Sequence, residues 1–91
     1  MENRQITVHG RVQGVGFRAA TKQIADQIGV NGWVKNQPDG TVLIEAEGKH
    51  EKMDEFIKQI DHGPTPFSKV EALDIEDNRE MNHHKKFKVV H

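Results

Sequence analysis

Apolar and polar positions alternate between residues 5 and 12, with Ile6, Val8 and Val12 on one face and Thr7, His9 and Arg11 on the other. A period of two is the pattern of a half-buried strand. Gly14 and Gly16 then interrupt regular structure. From Ala19 onward, Ala20, Ile24 and Ile28 recur at helical spacing, and Gly29 supplies a left-handed stop. Residues 30–36 read as a second strand and 41–47 as a third, with Val42, Ile44 and Ala46 facing inward. Between them Pro38-Asp39-Gly40 is a turn, because proline presets φ and glycine supplies the positive φ of a tight reversal. Residues 50–61 place Met53, Phe56, Ile57 and Ile60 on one helical face, and Gly63, Pro64 and Pro66 end that helix. A strand is expected at about 69–76. Its apolar set, Val70, Leu73 and Ile75, slips phase once and so predicts a bulge near Glu71-Ala72. Residues 78–86 are polar, and Phe87-Lys88-Val89 forms a short final strand.

The order β-α-β-β-α-β with a short tail is that of a ferredoxin-like α+β sandwich, two helices covering one face of an antiparallel sheet. The helical crossover makes the first two strands run in the same direction, so their C-terminal ends share one end of the sheet. The glycine-rich stretch follows the first strand and Asn36 closes the second. The topology therefore brings the two segments to one edge of the molecule.

Composition narrows the field. The 91 residues suit one domain spanning 1–91, with no room for a separate cofactor domain. Thirteen Lys and Arg nearly balance fourteen Asp and Glu, so no global field draws in nucleic acid or anionic membrane, and any anion must be held by a local device. The absence of cysteine removes disulfides, a thiolate nucleophile and a cysteine-based zinc site. No apolar run approaches the ~18 residues of a membrane span, and the polar start is unlike a signal peptide. A cytoplasmic protein with no membrane partner is expected. His83-His84 and His91 in their polar tract, like His9 on the outward face of the first strand, read as solvated surface rather than a metal tract. No metal and no cofactor are expected.

The candidate chemistry begins at Gly10-Arg11-Val12-Gln13-Gly14-Val15-Gly16-Phe17-Arg18. A glycine-rich turn between a strand and a helix can aim several backbone N–H groups into one concavity, and the helix N-terminus adds unpaired donors and partial positive charge. Arg18, at that junction, carries a planar guanidinium able to grip two phosphate oxygens. Gly14-x-Gly16-x-x-Ala19 also fits the dinucleotide fingerprint, but the chain is too short for the sheet that motif serves, and the next strand ends Lys35-Asn36 without a ribose-binding acid. No Gly-Lys-Ser/Thr follows, which excludes the nucleotide P-loop. The plainest alternative is a turn whose glycines only relieve strain. A second constellation, Gly32-Trp33-Val34-Lys35-Asn36 before the turn at Pro38, is equally open by itself: Asn36 suits a backbone cap and Trp33 a sheet residue.

Taken together the two are more specific. Val8-x-Gly10-x-Val12-Gln13-Gly14-Val15-x-Phe17-Arg18 resembles the first signature of the acylphosphatase family. Gly32-Trp33-Val34-Lys35-Asn36-x-x-x-Gly40-x-Val42, with Gly48 beyond it, is similar to the second. The resemblance covers most of the chain. It implies hydrolysis of the carboxyl–phosphate bond of small acyl phosphates, with Arg18 holding the phosphate and Asn36 orienting the attacking water. It further implies that backbone N–H groups of Gln13, Gly14, Val15, Gly16, Phe17 and Arg18 help bind substrate, and that the substrate's own phosphate takes the proton of the water. An acyl phosphate is an activated anhydride with a good leaving group, so positioning and charge stabilisation can suffice without a metal. The chain departs from the family at Ala19, where an aromatic residue is common, and at Lys49, where a capping aspartate is usual.

Two other readings bear on function. RNA-recognition domains share the topology but need aromatic residues on the central strands, and Thr41–Glu47 has none and carries two acids, so no nucleic-acid partner is expected. The acylphosphatase-like part of hydrogenase-maturation carbamoyltransferases belongs to long chains with zinc-finger cysteines, which are absent here. A non-catalytic module binding acyl or carbamoyl phosphate is the alternative to a hydrolase. Nothing in the pattern demands more than a monomer.

Overall fold

The computed structural model describes residues 1–78 and 80–91; Arg79, inside the polar 78–86 tract, lies outside the described residues. The chain runs β1 (Glu2–Arg11), α1 (Phe17–Ile28), β2 (Asn31–Asn36), β3 (Val42–Gly48), α2 (His50–His62), β4 (Lys69–Asn78) and β5 (Phe87–Val90). The strands form one sheet in the order β4-β1-β3-β2-β5. The first four pair antiparallel, as expected of the ferredoxin-like α+β sandwich, and β5 adds a parallel edge against β2.

The strand alternation decides which face is dry. Ile6 pairs with Ile44 and Val8 with Val42, and these join Val34, Ala46 and the helix residues Met53, Phe56 and Ile60 in one fully buried core. Phe56 of α2 meets Phe87 of β5 with ring centroids 6.0 Å apart, so the short last strand is anchored through an aromatic contact. A fully buried ring of this size contributes about 2–3 kcal/mol.

Helix α1 starts earlier than its apolar spacing suggests. Its buried stripe is Phe17, Thr21 and Ala25, while Ile24 and Ile28 pack from the flank. The expected stripe at Ala20, Ile24 and Ile28 is thus rotated. Phe17 sets the phase because it enters the core at the first helical position. Gly29 closes the helix at φ 95°, the left-handed stop read from sequence. Helix α2 begins after Lys49, whose side chain makes no capping bond, so its start rests on backbone and on Glu51 in the first turn.

The bulge expected near Glu71-Ala72 is present. His9 pairs with Ala72, but Gly10 pairs with Val70, so Glu71 has no partner on β1. Gly10 is essential to this irregularity: its φ is +128°, and an added Cβ would sit 2.0 Å from the Lys69 carbonyl oxygen.

The sheet face away from the helices carries a polar ladder. Asn78 Nδ2 donates to Asn3 Oδ1 at 2.6 Å, and Asn3 Nδ2 donates to Glu47 Oε2 at 2.9 Å. The backbone N–H groups of Asn82 and His84 also donate to the Glu47 carboxylate, at 2.7 and 2.8 Å. His84 bonds Glu45 as well, so it is half-buried rather than the solvated residue its polar setting predicts, whereas His83 and His91 are exposed. Burial alone would push the Glu47 carboxyl up, but the bonds from Asn3, Asn82 and His84 outweigh it and hold Glu47 below its ordinary value of 4.5.

A depressed carboxylate stabilises the fold above its unfolded pKa, and that stability is lost as pH falls through the lower folded value. Glu47→Gln should therefore cost about 2–3 kcal/mol near neutrality, the loss expected for bonds to a buried charge. The difference from wild type should shrink below about pH 4. Denaturant midpoints measured at pH 7 and pH 3 check both parts.

Candidate active site

The loop between β1 and α1 is held open by glycine. Gly14 and Gly16 both have φ +74°, the left-handed conformation expected of a turn that gathers backbone N–H groups. Gly16 is also the N-cap of α1 and lacks a capping side chain. The first helical bond comes from Ala20 N–H to the Gly16 carbonyl at 3.1 Å. Among the described residues, the N–H groups of residues 13–18 meet no acceptor in the protein. These orphan donors give the loop a positive lining.

The second segment is clamped to the first by Gln13. Its Nε2 donates to the carbonyls of Gln37 and Thr41, both at 2.8 Å, locking the loop to the β2–β3 turn. The turn is itself tightly bonded. Asp39 Oδ1 accepts from the Thr41 N–H and hydroxyl, at 3.0 and 2.6 Å, and those bonds hold the Asp39 carboxyl below its ordinary value. Asn36, at the end of β2, is thereby fixed beside the loop.

The product is a cleft of about 190 Å³ lined by Gly14, Gly16, Phe17, Arg18, Ala19 and Asn36, with Val89 and His91 on the tail side. Arg18 is half-buried, and its Nη1 donates to the Val90 carbonyl at 2.8 Å, which seats the guanidinium against β5. Asn36 Oδ1 is buried and has no hydrogen-bond partner. A buried acceptor left free in a cleft that also holds Arg18 calls for a donor from outside the protein. Ala19 takes part in the lining, so the small side chain found where the family favours an aromatic one borders the cleft directly.

The cleft thus gathers Arg18 and Asn36 together with Gly14, Gly16 and Phe17. It does not gather the side chains of Gln13 and Val15: Gln13 is spent on the clamp, and Val15 packs against the core and borders a neighbouring cleft. Only their backbone groups can serve an anion. Sequence reasoning missed Val89 and His91, for which the sole signal was the expected last strand. His9 lies outside the cleft, bonded to Asp74 at 2.8 Å. Among the described residues no three His, Asp or Glu side chains converge as a metal site, and no helix is long and apolar enough to cross a membrane.

Fold and cleft together define a compact ferredoxin-like α+β protein with an anion-suited cleft at the strand ends. The family model described as Acylphosphatase matches residues 4–89. An acylphosphatase of Enterococcus faecalis is 44% identical over 90 residues, covering 99% of each chain. The crystal structure of acylphosphatase from Bacillus subtilis superposes with a TM-score of 0.96 at 41% identity, covering 100% of both chains. The crystal structure of full-length HypF in its phosphate- and nucleotide-bound form matches with a TM-score of 0.86 at 32% identity, but this chain spans only 12% of that one. The chain belongs to the acylphosphatase family. It is a hydrolase of small acyl phosphates, and the reading as a non-catalytic binding module is not favoured.

Proposed function

We propose that Arg18 and the loop N–H groups hold the phosphate of the substrate while Asn36 positions the water that attacks it. The observation that carries this reading is the meeting of a cationic fork, orphan backbone donors and a free buried acceptor at one small cleft.

The chemistry follows from the groups available. The guanidinium and the N–H groups of residues 13–18 offset the charge on the equatorial phosphate oxygens, where it spreads in the transition state. Asn36 Oδ1 accepts one O–H of a water and turns its lone pair toward phosphorus. An amide cannot act as a general base, so it orients the water without deprotonating it. The new P–O bond forms as the bond from phosphorus to the acyl oxygen breaks, and the carboxylate leaves with the electron pair. One water hydrogen stays on the new P–OH, and the other passes to a phosphate oxygen of the substrate. Carboxylate and orthophosphate are the products, and no cofactor or metal enters the balance.

Residues 1–91 act as one domain in this proposal, a cytoplasmic monomer whose partner is the small acyl phosphate. The testing experiment is hydrolysis of benzoyl phosphate beside a phosphate monoester, each with and without chelator. The expected result is acyl phosphate turnover unchanged by chelator and negligible monoester turnover, because only the anhydride offers so good a leaving group. Activity lost to chelator and restored by a divalent cation would overturn the proposed chemistry.

A further inference from the structure

A second, larger cleft of about 940 Å³ adjoins the first, and Gly14 lines both. Its lining includes Val15 and Phe67 as apolar surface, and Arg11, Lys69 and Glu71 as charges. Phe67 is 73% exposed, so its ring is open to a ligand in this cleft.

The placement of the two cations is the informative feature. Arg11 stands directly opposite Lys69 in the β1–β4 register. Continued without the bulge, the pairing of His9 with Ala72 would have set Arg11 against Val70. The bulge at Glu71 therefore creates the like-charge pair. Like charges directly opposed across antiparallel strands are destabilising. Among the described residues, neither Arg11 nor Lys69 makes a salt bridge, although Glu71 borders the same cleft. The fold thus holds two cations without a salt-bridge partner among the described residues beside the glycine loop, at the cost of some repulsion.

We propose that this cleft is the acyl subsite, and that Arg11 and Lys69 select acyl phosphates carrying a second anionic group on the acyl part. The inference rests on the reading of Arg18 and Asn36 given above. With the phosphate in the smaller cleft, the acyl chain crosses Gly14, where an added Cβ would meet nothing within 4 Å, so the passage is open. The chain lies against Val15 and Phe67, and its distal anion reaches the two cations. Glu71 opposes that anion and sets an upper limit on selectivity.

The test compares benzoyl phosphate with acyl phosphates bearing a terminal carboxylate or a terminal phosphate. Lys69→Gln and Arg11→Gln should each lower the kcat/KM ratio of doubly anionic to neutral substrate about three- to five-fold, through KM. Glu71→Gln should raise the same ratio. Thermal stability of Lys69→Gln should equal or exceed wild type, since a repulsive pair is relieved. A preference for the carboxylated or the phosphorylated acyl chain identifies the anion. Ratios unchanged in all three variants, while Arg18→Ala still abolishes benzoyl phosphate hydrolysis, would overturn the subsite alone. Benzoyl phosphate hydrolysis surviving in Arg18→Ala would instead overturn the reading on which the subsite rests.

Discussion

Arg18→Ala is expected to lose at least about a thousand-fold in kcat/KM, or roughly 4 kcal/mol of transition-state stabilisation. A single preorganised donor is worth about 3–4 kcal/mol in comparable sites, and Arg18 offers a charged fork. Among the residues lining the smaller cleft it is the one arginine or lysine. Inorganic phosphate should cease to bind or inhibit. The fold should survive with a modest loss, because Arg18 is half-buried and gives up one bond, that to the Val90 carbonyl. A neutral-partner bond of this kind contributes about 1 kcal/mol. The contact with β5 makes the cost small rather than zero. Arg18→Lys should not rescue, since an ammonium lacks the planar fork and falls short of the Val90 carbonyl geometry. Steady-state kinetics and phosphate titration on folded protein check each part.

Asn36→Ala should lower kcat by about a hundred-fold or more while leaving the inhibition constant for phosphate within about two-fold. The asymmetry follows from the geometry. The free Oδ1 has no partner to lose in the protein, so removing it disturbs no internal bond. The phosphate donors on the loop are untouched, because the clamp between loop and turn is made by Gln13 and not by Asn36. Asn36→Asp should be no better than alanine, because a carboxylate beside a dianion adds repulsion. Parallel loss of turnover and phosphate affinity would make Asn36 a phosphate ligand or a structural cap.

Much of this was legible in the sequence, for physical reasons that differ by element. Strands β1 to β3 and helix α2 announce themselves because each buries one face, and a one-sided burial writes its period into the chain. The Glu71 bulge showed as a slipped phase. Arg18 and Asn36 could be brought together by topology alone, since a right-handed crossover aligns the ends of β1 and β2. Helix α1 reads as starting two residues late, with its stripe rotated toward Ile24 and Ile28. The reason is that its core contact begins with Phe17, a residue that reads equally well as the end of the loop. Glu47 was invisible: an acid on the outward side of a strand looks solvated until residues 82 and 84 return across the sheet to bond it. The same holds for Gln13, whose side chain spans to residues 37 and 41. Val89 and His91 were missed as lining residues because nothing local fixes the parallel register of β5 on β2.

The division of labour between binding and water positioning can be read directly by titrating inorganic phosphate into folded Arg18→Ala and Asn36→Ala proteins by calorimetry. The account predicts no detectable binding to Arg18→Ala and near wild-type affinity for Asn36→Ala. Phosphate binding retained by Arg18→Ala would contradict it.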